Sequence, residues 1–437
     1  MIFRLSKYYQ GAVMTKREEV KEQLISVFKS GIKSNYLIGA EFEHFIVRRS
    51  TLESYNYYEE NGIKDILLKM KSYGWNSDDA TDAIMMMRKG DGIITLEPGG
   101  QIELSIMPNE FVSELTAIYK SFVRDINACL TEEQALISVG YHPVSKINDI
   151  PFIPKSRYGE MSAYFTKRGR YAHNMMKGTA STQVGVDFSS EQDCMDKYRM
   201  FSALSPFFTA FFDTTPYFEG EKVPGHAMRM QIWEETDSDR SGVLEEAFSP
   251  TFSFGDYADR VLKCPPILVL DGSDVKATHE KTLGSLLDEI EMDKDQINHV
   301  LTMLFPDVRL KNFVEVRMAD AMPFPLNMGY VELIYGLTYC SNLYDYYSQW
   351  AKTCTYNEIQ QLKADIAVHG NTASFRGRTV RSFMLDLMDR VSKSCHDLTY
   401  FGSLRETFEQ HPHGYAKYLA GLSKENLLEE LEVKFND

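Results

Sequence analysis

Gly39-Ala40-Glu41-Phe42-Glu43 alternates apolar and acidic residues. Successive side chains of a strand point to opposite faces, so Glu41 and Glu43 share one face while Ala40 and Phe42 take the other. Two distant stretches repeat the pattern: Leu96-Glu97-Pro98-Gly99-Gly100-Gln101-Ile102-Glu103-Leu104 and Phe313-Val314-Glu315-Val316-Arg317. An ordinary half-buried strand turns a mixture of Thr, Lys, Ser and Glu to water, whereas here the polar face is mostly Glu. Like charges on neighbouring strands destabilise a sheet unless something positive sits between them. Divalent metal is the economical answer.

Two further segments read as strands with a loaded face. In Ser181 to Phe188, Gln183, Gly185 and Asp187 oppose Val184, Val186 and Phe188, and in Ala227 to Trp233, Arg229, Gln231 and Trp233 oppose Met228, Met230 and Ile232. Between Ile84 and Met107 the turns Lys89-Gly90-Asp91-Gly92 and Pro98-Gly99-Gly100 predict a three-stranded antiparallel meander. About six strands then share one antiparallel sheet. Helices are expected at 15–30, opened by a Thr15/Glu18 capping box, and at 62–73, 113–129 and 190–212. Beyond Asp320 the pattern is helical, over 330–350, 357–368, 378–395 and 424–433. The fold class is α+β, with no repeat or linker to divide the chain. We read 15–325 as the catalytic core, 326–437 as a helical region packed on it, and 1–14 as a disordered lead or an over-long start.

A net charge of −15 argues against a nucleic-acid backbone or an anionic membrane as partner. No apolar run approaches the roughly 20 residues of a membrane span. The six widely spaced cysteines, with no C-x-x-C pair, read as free thiols in a reducing cytoplasm, with a redox pair as the alternative. The expected location is cytoplasmic, and the expected assembly a monomer or homodimer.

Mg²⁺ takes oxygen ligands and keeps waters and nucleotide phosphates around it, so four or five Glu on one concave sheet would hold about two or three ions. Arg229 and Arg317, projecting from that face, suit carboxylate or phosphate oxygens. Metal and Arg together point to phosphoryl transfer. The P-loop, the dinucleotide G-x-G-x-x-G, H-E-x-x-H and G-x-S-x-G are all missing from the sequence. His44 falls on the apolar side of its strand and reads as a core histidine.

Met175-Met176-Lys177-Gly178-Thr179-Ala180-Ser181-Thr182-Gln183-Val184-Gly185-Val186-Asp187, Ile232-Trp233-Glu234-Glu235-Thr236-Asp237-Ser238-Asp239-Arg240 and Leu304-Phe305-Pro306-Asp307-Val308-Arg309-Leu310-Lys311 complete the pattern. With the two Glu-rich strands, the chain resembles the glutamate–cysteine ligases of plants and related bacteria. The resemblance implies a glutamine-synthetase-like funnel whose floor holds ATP and Mg²⁺. It also implies transfer of the ATP γ-phosphoryl group to the glutamate side chain, followed by attack of the cysteine amine to give γ-glutamylcysteine. Carried over by position, Glu41, Glu43, Glu103 and Glu315 would be metal ligands with Glu97 as helper. Arg229 would hold glutamate, Arg317 and Lys177 the nucleotide phosphates, and Trp233 would wall the acceptor pocket. Gln183, Asp187 and Arg240 complete the expected substrate contacts, Arg240 with the alternative of bracing its loop against Asp237.

Three departures stand out. Lys177 replaces a usual Arg, Gly185 a usual Asn, and Arg317-Met318-Ala319-Asp320 lacks a Gly-rich ending. They bear on the acceptor, so a ligase for another amino acid or amine is the alternative, with a non-catalytic nucleotide or glutamate sensor as a third reading.

Overall fold

The acidic stretches lie on adjacent strands. The computed structural model describes residues 14–77, 83–272, 274–396 and 398–435; the lead expected over 1–14 falls almost entirely outside them. Its main sheet has eight strands, where about six were expected. Strand β1 (Ile38–Arg48) is central. On one side lie β4 (Ile102–Asn109), β3 (Gly92–Leu96) and β2 (Met86–Lys89), the meander the turns predict. On the other lie β6 (Ser181–Val186), the strand Val314–Asp320 and, at the edge, Val308–Leu310. The far half of β1 pairs with β5 (Gln134–Ile137). Every pairing in this sheet is antiparallel.

Register brings the polar residues together. Glu43 faces Glu103, Glu41 lies between Ser105 and Gln183, and Glu315 faces Gly185. The opposite face carries Phe42, Leu104, Val184 and Val316, all buried, under α3 (Val112–Asn127) and the helix Leu326–Tyr339. Burying each such side chain contributes about 1.5–3 kcal/mol. His44 belongs to this core: its Nε2 lies 3.0 Å from the Tyr119 hydroxyl, and burial pushes its pKa down to about 4, so it is neutral.

Helix α1 (Lys16–Lys29) starts with the expected capping box of Thr15 and Glu18. Helices α2 (Ile63–Met70) and α6 (Glu191–Phe211) also lie where the pattern puts them, the latter capped by Ser190. Among the helices outside the expected ranges are α4 (Ser156–Phe165) and α5 (Ala172–Gly178), which reach the site, and Phe254–Lys263 and Lys294–Leu301. The Pro98-Gly99-Gly100 turn packs directly on α5: a Cβ on Gly99 would stand 2.5 Å from the Lys177 carbonyl oxygen.

Three expectations are corrected. Ala227 to Trp233 is not a strand; Met228–Glu234 forms helix α7. Met, Arg and Gln are good helix formers, and alternation over seven residues does not separate a strand from a short helix buried on most sides. Ala227, at φ 51° and ψ 51°, precedes the helix, and its N–H donates to Asp213 Oδ2 at 2.8 Å. The single helix expected over 330–350 is two, Leu326–Tyr339 and Ser341–Lys352, meeting at Cys340. Cys340 is disulfide-bonded to Cys395, with Cα atoms 6.4 Å apart, so the cysteines are not all free thiols; Cys129, Cys194, Cys264 and Cys354 are free and buried. Among the described residues no helix is long and apolar enough to cross a membrane.

Candidate active site

A cavity of about 290 Å³ opens over the acidic face of the sheet. Glu41, Glu43, Glu97 and Glu103 line it, together with Gln183. Five cations face them: Arg157, Arg229, Arg309, Lys311 and Arg317. A second, more apolar cavity of about 500 Å³ shares Glu41 and Gln183 with the first and holds Asp187 and Glu315 in its lining. Leu37, Met107, Pro108 and Phe313 supply much of its apolar wall. Phe313 occupies the room left by the missing side chain of Gly185, where an added Cβ would lie 3.0 Å from the ring.

The carboxylates are electrostatically crowded. Burial, then Glu103 and Glu315, push Glu41 up to about 7. Burial, then Glu97 and Glu103, push Glu43 up to about 8, although its oxygens accept hydrogen bonds from the Ser181 N–H at 3.0 Å, the Ser181 hydroxyl at 2.9 Å and Gln183 Nε2 at 3.0 Å. Burial and Glu97 raise Glu103, which accepts from the Thr95 hydroxyl at 2.7 Å.

Glu315 is the exception. Burial pushes it up, but Arg309, Lys311 and Arg317 outweigh that and hold it well below the usual carboxylate range. Arg309 Nε donates to it at 2.6 Å, Lys311 Nζ at 3.0 Å and Arg317 at 3.1 Å. Glu315 therefore gathers three cations into one cluster. The carboxylates fit divalent metal in donor type and charge: hard oxygens, mutual repulsion, and a Glu41 carboxylate with no hydrogen bond among the described residues. No group of three or more His, Cys, Asp or Glu converges at ligand spacing among the described residues.

Helix α7 explains the placement of Arg229 and Trp233, since residues four apart share a helix face. The Arg229 guanidinium donates to the Met318 carbonyl at 3.2 Å and the Arg317 carbonyl at 3.3 Å, and lies 5.8 Å from the centre of the Trp233 ring. Arg229 Nε, Trp233 Nε1 and Arg157 Nε are buried without a hydrogen-bond partner. A buried donor left unpaired costs about 1–3 kcal/mol, so these three are donors that a ligand in the cavity could satisfy.

Three residues expected at the site stand elsewhere. Lys177 Nζ donates to the Ile147 carbonyl and, at 2.8 Å, to the Ile150 carbonyl, and it lies over the Phe152 ring; it anchors a loop and does not line the cavity. Arg240 is fully buried and committed to Asp237 at 2.7 Å and to the Met303 and Pro265 carbonyls, which is the loop-bracing alternative. Asp187 lies in the second cavity, with Lys33 Nζ at 3.1 Å and the Leu37 N–H at 3.2 Å. Sequence reasoning passed over Arg309 and Lys311 as site residues, although Val308-Arg309-Leu310-Lys311 alternates as the Glu strands do. Arg157, Tyr158 and Met161 on α4, and Met175 and Met176 on α5, gave no periodic signal.

Residues 37–393 match the model of glutamate–cysteine ligase family 2. The chain belongs to that family. The family makes it an ATP-dependent ligase of small-molecule substrates. Glutamate–cysteine ligase A of Oryza sativa subsp. japonica is 32% identical over 400 residues, covering 88% of this chain and 79% of the relative. The enzyme of Arabidopsis thaliana is 32% identical over 408 residues, covering 89% and 76%. Among solved structures, a glutamate–cysteine ligase from Francisella tularensis in complex with AMP superposes with a TM-score of 0.55 at 13% identity, covering 92% of this chain and 88% of that one, which shows the shared fold. Both plant relatives are chloroplastic enzymes, which overturns the cytoplasmic location expected from the sequence.

Proposed function

We propose that the chain joins the side-chain carboxylate of L-glutamate to the amine of L-cysteine at the expense of ATP. The observation that carries this is the 290 Å³ cavity, with carboxylates on one wall and cations on the other, joined through Glu41 and Gln183 to a second chamber with apolar walls. The larger chamber suits a nucleobase, flat against Phe313, Met107 and Pro108. The triphosphate then points towards Arg309, Lys311 and Arg317, which Glu315 holds together.

Arg229 and Trp233 offer free donors to the glutamate. A carboxylate oxygen of the glutamate side chain attacks the γ-phosphorus, ADP leaves, and a γ-glutamyl phosphate forms. The amine then attacks the carbonyl carbon, loses a proton, and phosphate departs with the bonding oxygen. Glu41, Glu43 and Glu103 would hold Mg²⁺, which supplies neutralisation of the phosphate charge when bound. The cation cluster supplies fixed positive charge where the γ-phosphoryl group transfers, and a preorganised site needs little reorganisation at that moment. The AMP complex of the Francisella enzyme supports nucleotide use.

ADP release from ATP, Mg²⁺ and L-glutamate, measured with each of the twenty amino acids and with mass spectrometry of the product, tests the reading. Stimulation chiefly by cysteine with a γ-glutamylcysteine mass is expected. Stimulation by another amine alone would keep the mechanism and change the acceptor.

A further inference from the structure

Four thioethers line the cavity. Met161, Met175, Met176 and Met303 are 7%, 8%, 2% and 2% exposed, and Trp233 packs edge-on to Phe305 beside them. Three hydroxyls and one amide that line the cavity with them donate to backbone carbonyls, whereas Trp233 Nε1 has no partner. The Thr302 hydroxyl donates to the His299 carbonyl at 2.7 Å, the Thr179 hydroxyl to Met175 at 2.8 Å, and the Tyr158 hydroxyl to Leu96 at 3.2 Å. Gln101 Nε2 donates to the Met176 and Thr179 carbonyls at 3.3 and 3.0 Å. Arg157 lines the same cavity, with its guanidinium 5.1 Å from the centre of the Tyr158 ring and its Nε buried and unpaired. Of the other guanidiniums of the cavity, Arg309 and Arg317 pair with Glu315, and Arg229 donates to two carbonyls through its terminal nitrogens while its Nε stays free for the glutamate.

We propose that Arg157 and the methionine wall select the acceptor: Arg157 holds its α-carboxylate, and the thioethers enclose a compact side chain that makes no strong hydrogen bond. This rests on the ligase reading. A guanidinium grips a carboxylate in a fork, and methionine sulfur packs adaptably against a thiol or methyl group. A serine side chain replaces a sulfur that packs by dispersion with a hydroxyl that must be hydrogen-bonded, and the hydroxyls of Thr179, Thr302 and Tyr158 already donate to backbone carbonyls. A buried hydroxyl without a partner costs about 1–3 kcal/mol, or roughly 10–200-fold in kcat/KM.

The test uses the full chain with saturating ATP, Mg²⁺ and L-glutamate and compares kcat/KM for L-cysteine, L-2-aminobutyrate, L-serine and cysteamine. Cysteine and 2-aminobutyrate are expected within about 10-fold of each other, and serine roughly 10–200-fold lower. Cysteamine, which lacks the carboxylate, is expected about 10–150-fold lower, the range of one charge-assisted pair. Arg157→Met should raise the KM for cysteine by a similar factor, leave the KM for ATP in place, and remove the preference for cysteine over cysteamine. Met303→Gln should narrow the gap between cysteine and serine. Wild-type protein that uses cysteamine as well as cysteine overturns the assignment while the ligase reading stands, without reliance on any variant folding. An Arg157→Met protein that loses both acceptors equally also overturns it. Absence of glutamate-dependent ADP release with all four acceptors overturns both.

Discussion

Lys363 lies on the helix Tyr356–His369, far along the chain from the sheet, yet it ties two walls of the cavity together. The residue is 3% exposed, and its ammonium group pairs with Glu234, the last residue of α7, and with Asp307 Oδ2 at 2.7 Å. Asp307 also accepts the Ser205 hydroxyl, and its carbonyl accepts the Arg317 N–H at 3.1 Å. Replacing Lys363 by Met keeps most of the apolar stem and removes the charge, leaving two carboxylates facing each other. Breaking a buried pair costs about 3–5 kcal/mol. The Glu234 side chain is 32% exposed and can rehydrate, so the lower end applies, about 3 kcal/mol. An unfolding entropy of about 2.1 cal/mol/K per residue over 437 residues is about 0.9 kcal/mol/K, which translates the loss into a Tm lower by about 3 °C. Because Glu234 adjoins Trp233 and Asp307 supports Arg317, the KM for glutamate should rise as well. Differential scanning calorimetry at constant pH and ionic strength, with glutamate kinetics alongside, is the assay. Adding Asp307→Asn should recover part of the loss, since it removes one of the stranded charges. A Lys363→Met protein with an unchanged Tm, or a double variant no more stable than the single one, would refute the reasoning.

Gly99→Ala should destabilise by about 1–3 kcal/mol, because its Cβ meets backbone that cannot turn away; thermal unfolding checks the stability, and a raised cysteine KM checks that α5 with Met175 and Met176 has moved. Asp213 is raised to about 7 by burial and by Asp320. Its folded pKa lies above its unfolded value, so the stability it contributes is present at low pH and is lost as pH rises towards 7. Relative to Asp213→Asn, the wild type should lose about 2 kcal/mol between pH 5 and 7.5 in denaturant unfolding, and parallel pH profiles would count against the buried proton. Glu315→Gln leaves Arg309, Lys311 and Arg317 repelling one another. ADP release should fall by about 100-fold or more with the KM for ATP raised, and normal turnover would remove Glu315 from the site.

What was legible in the sequence follows from the period of each element. A strand sorts its residues every second position, so Glu41/Glu43, Glu103 and Glu315 announced a common face, and the register pairs Glu43 with Glu103 as that pattern requires. The meander was readable because Gly90, Gly92 and Gly100 punctuate it. The segment 227–233 was not, since a seven-residue run of Met, Arg and Gln satisfies both periods and only the contact between Asp213 and the Ala227 N–H decides where the helix begins. Lys177 was placed at the phosphates by resemblance alone. Its position at the end of α5 directs it instead to the Ile147 and Ile150 carbonyls. The pairing of Cys340 with Cys395 depends on a turn between two helices that read as one.

The two halves of the cavity differ in the kind of residue that builds them. The sheet supplies ionisable groups whose charges must be neutralised against one another, so a change at Glu41, Glu315 or Arg309 disturbs several partners at once. Helices α4 and α5 supply methionines that touch the cavity through dispersion and share no charge network. Exchanging one of them alters the shape of the pocket by a few atoms and leaves the carboxylates and cations where they are. The phosphoryl-transfer floor is therefore constrained as a unit, whereas acceptor preference can shift one side chain at a time. That separation explains why the strands could be read from an isolated sequence and the acceptor wall could not: the floor is written in charge alternation, and the wall in apolar residues indistinguishable from core.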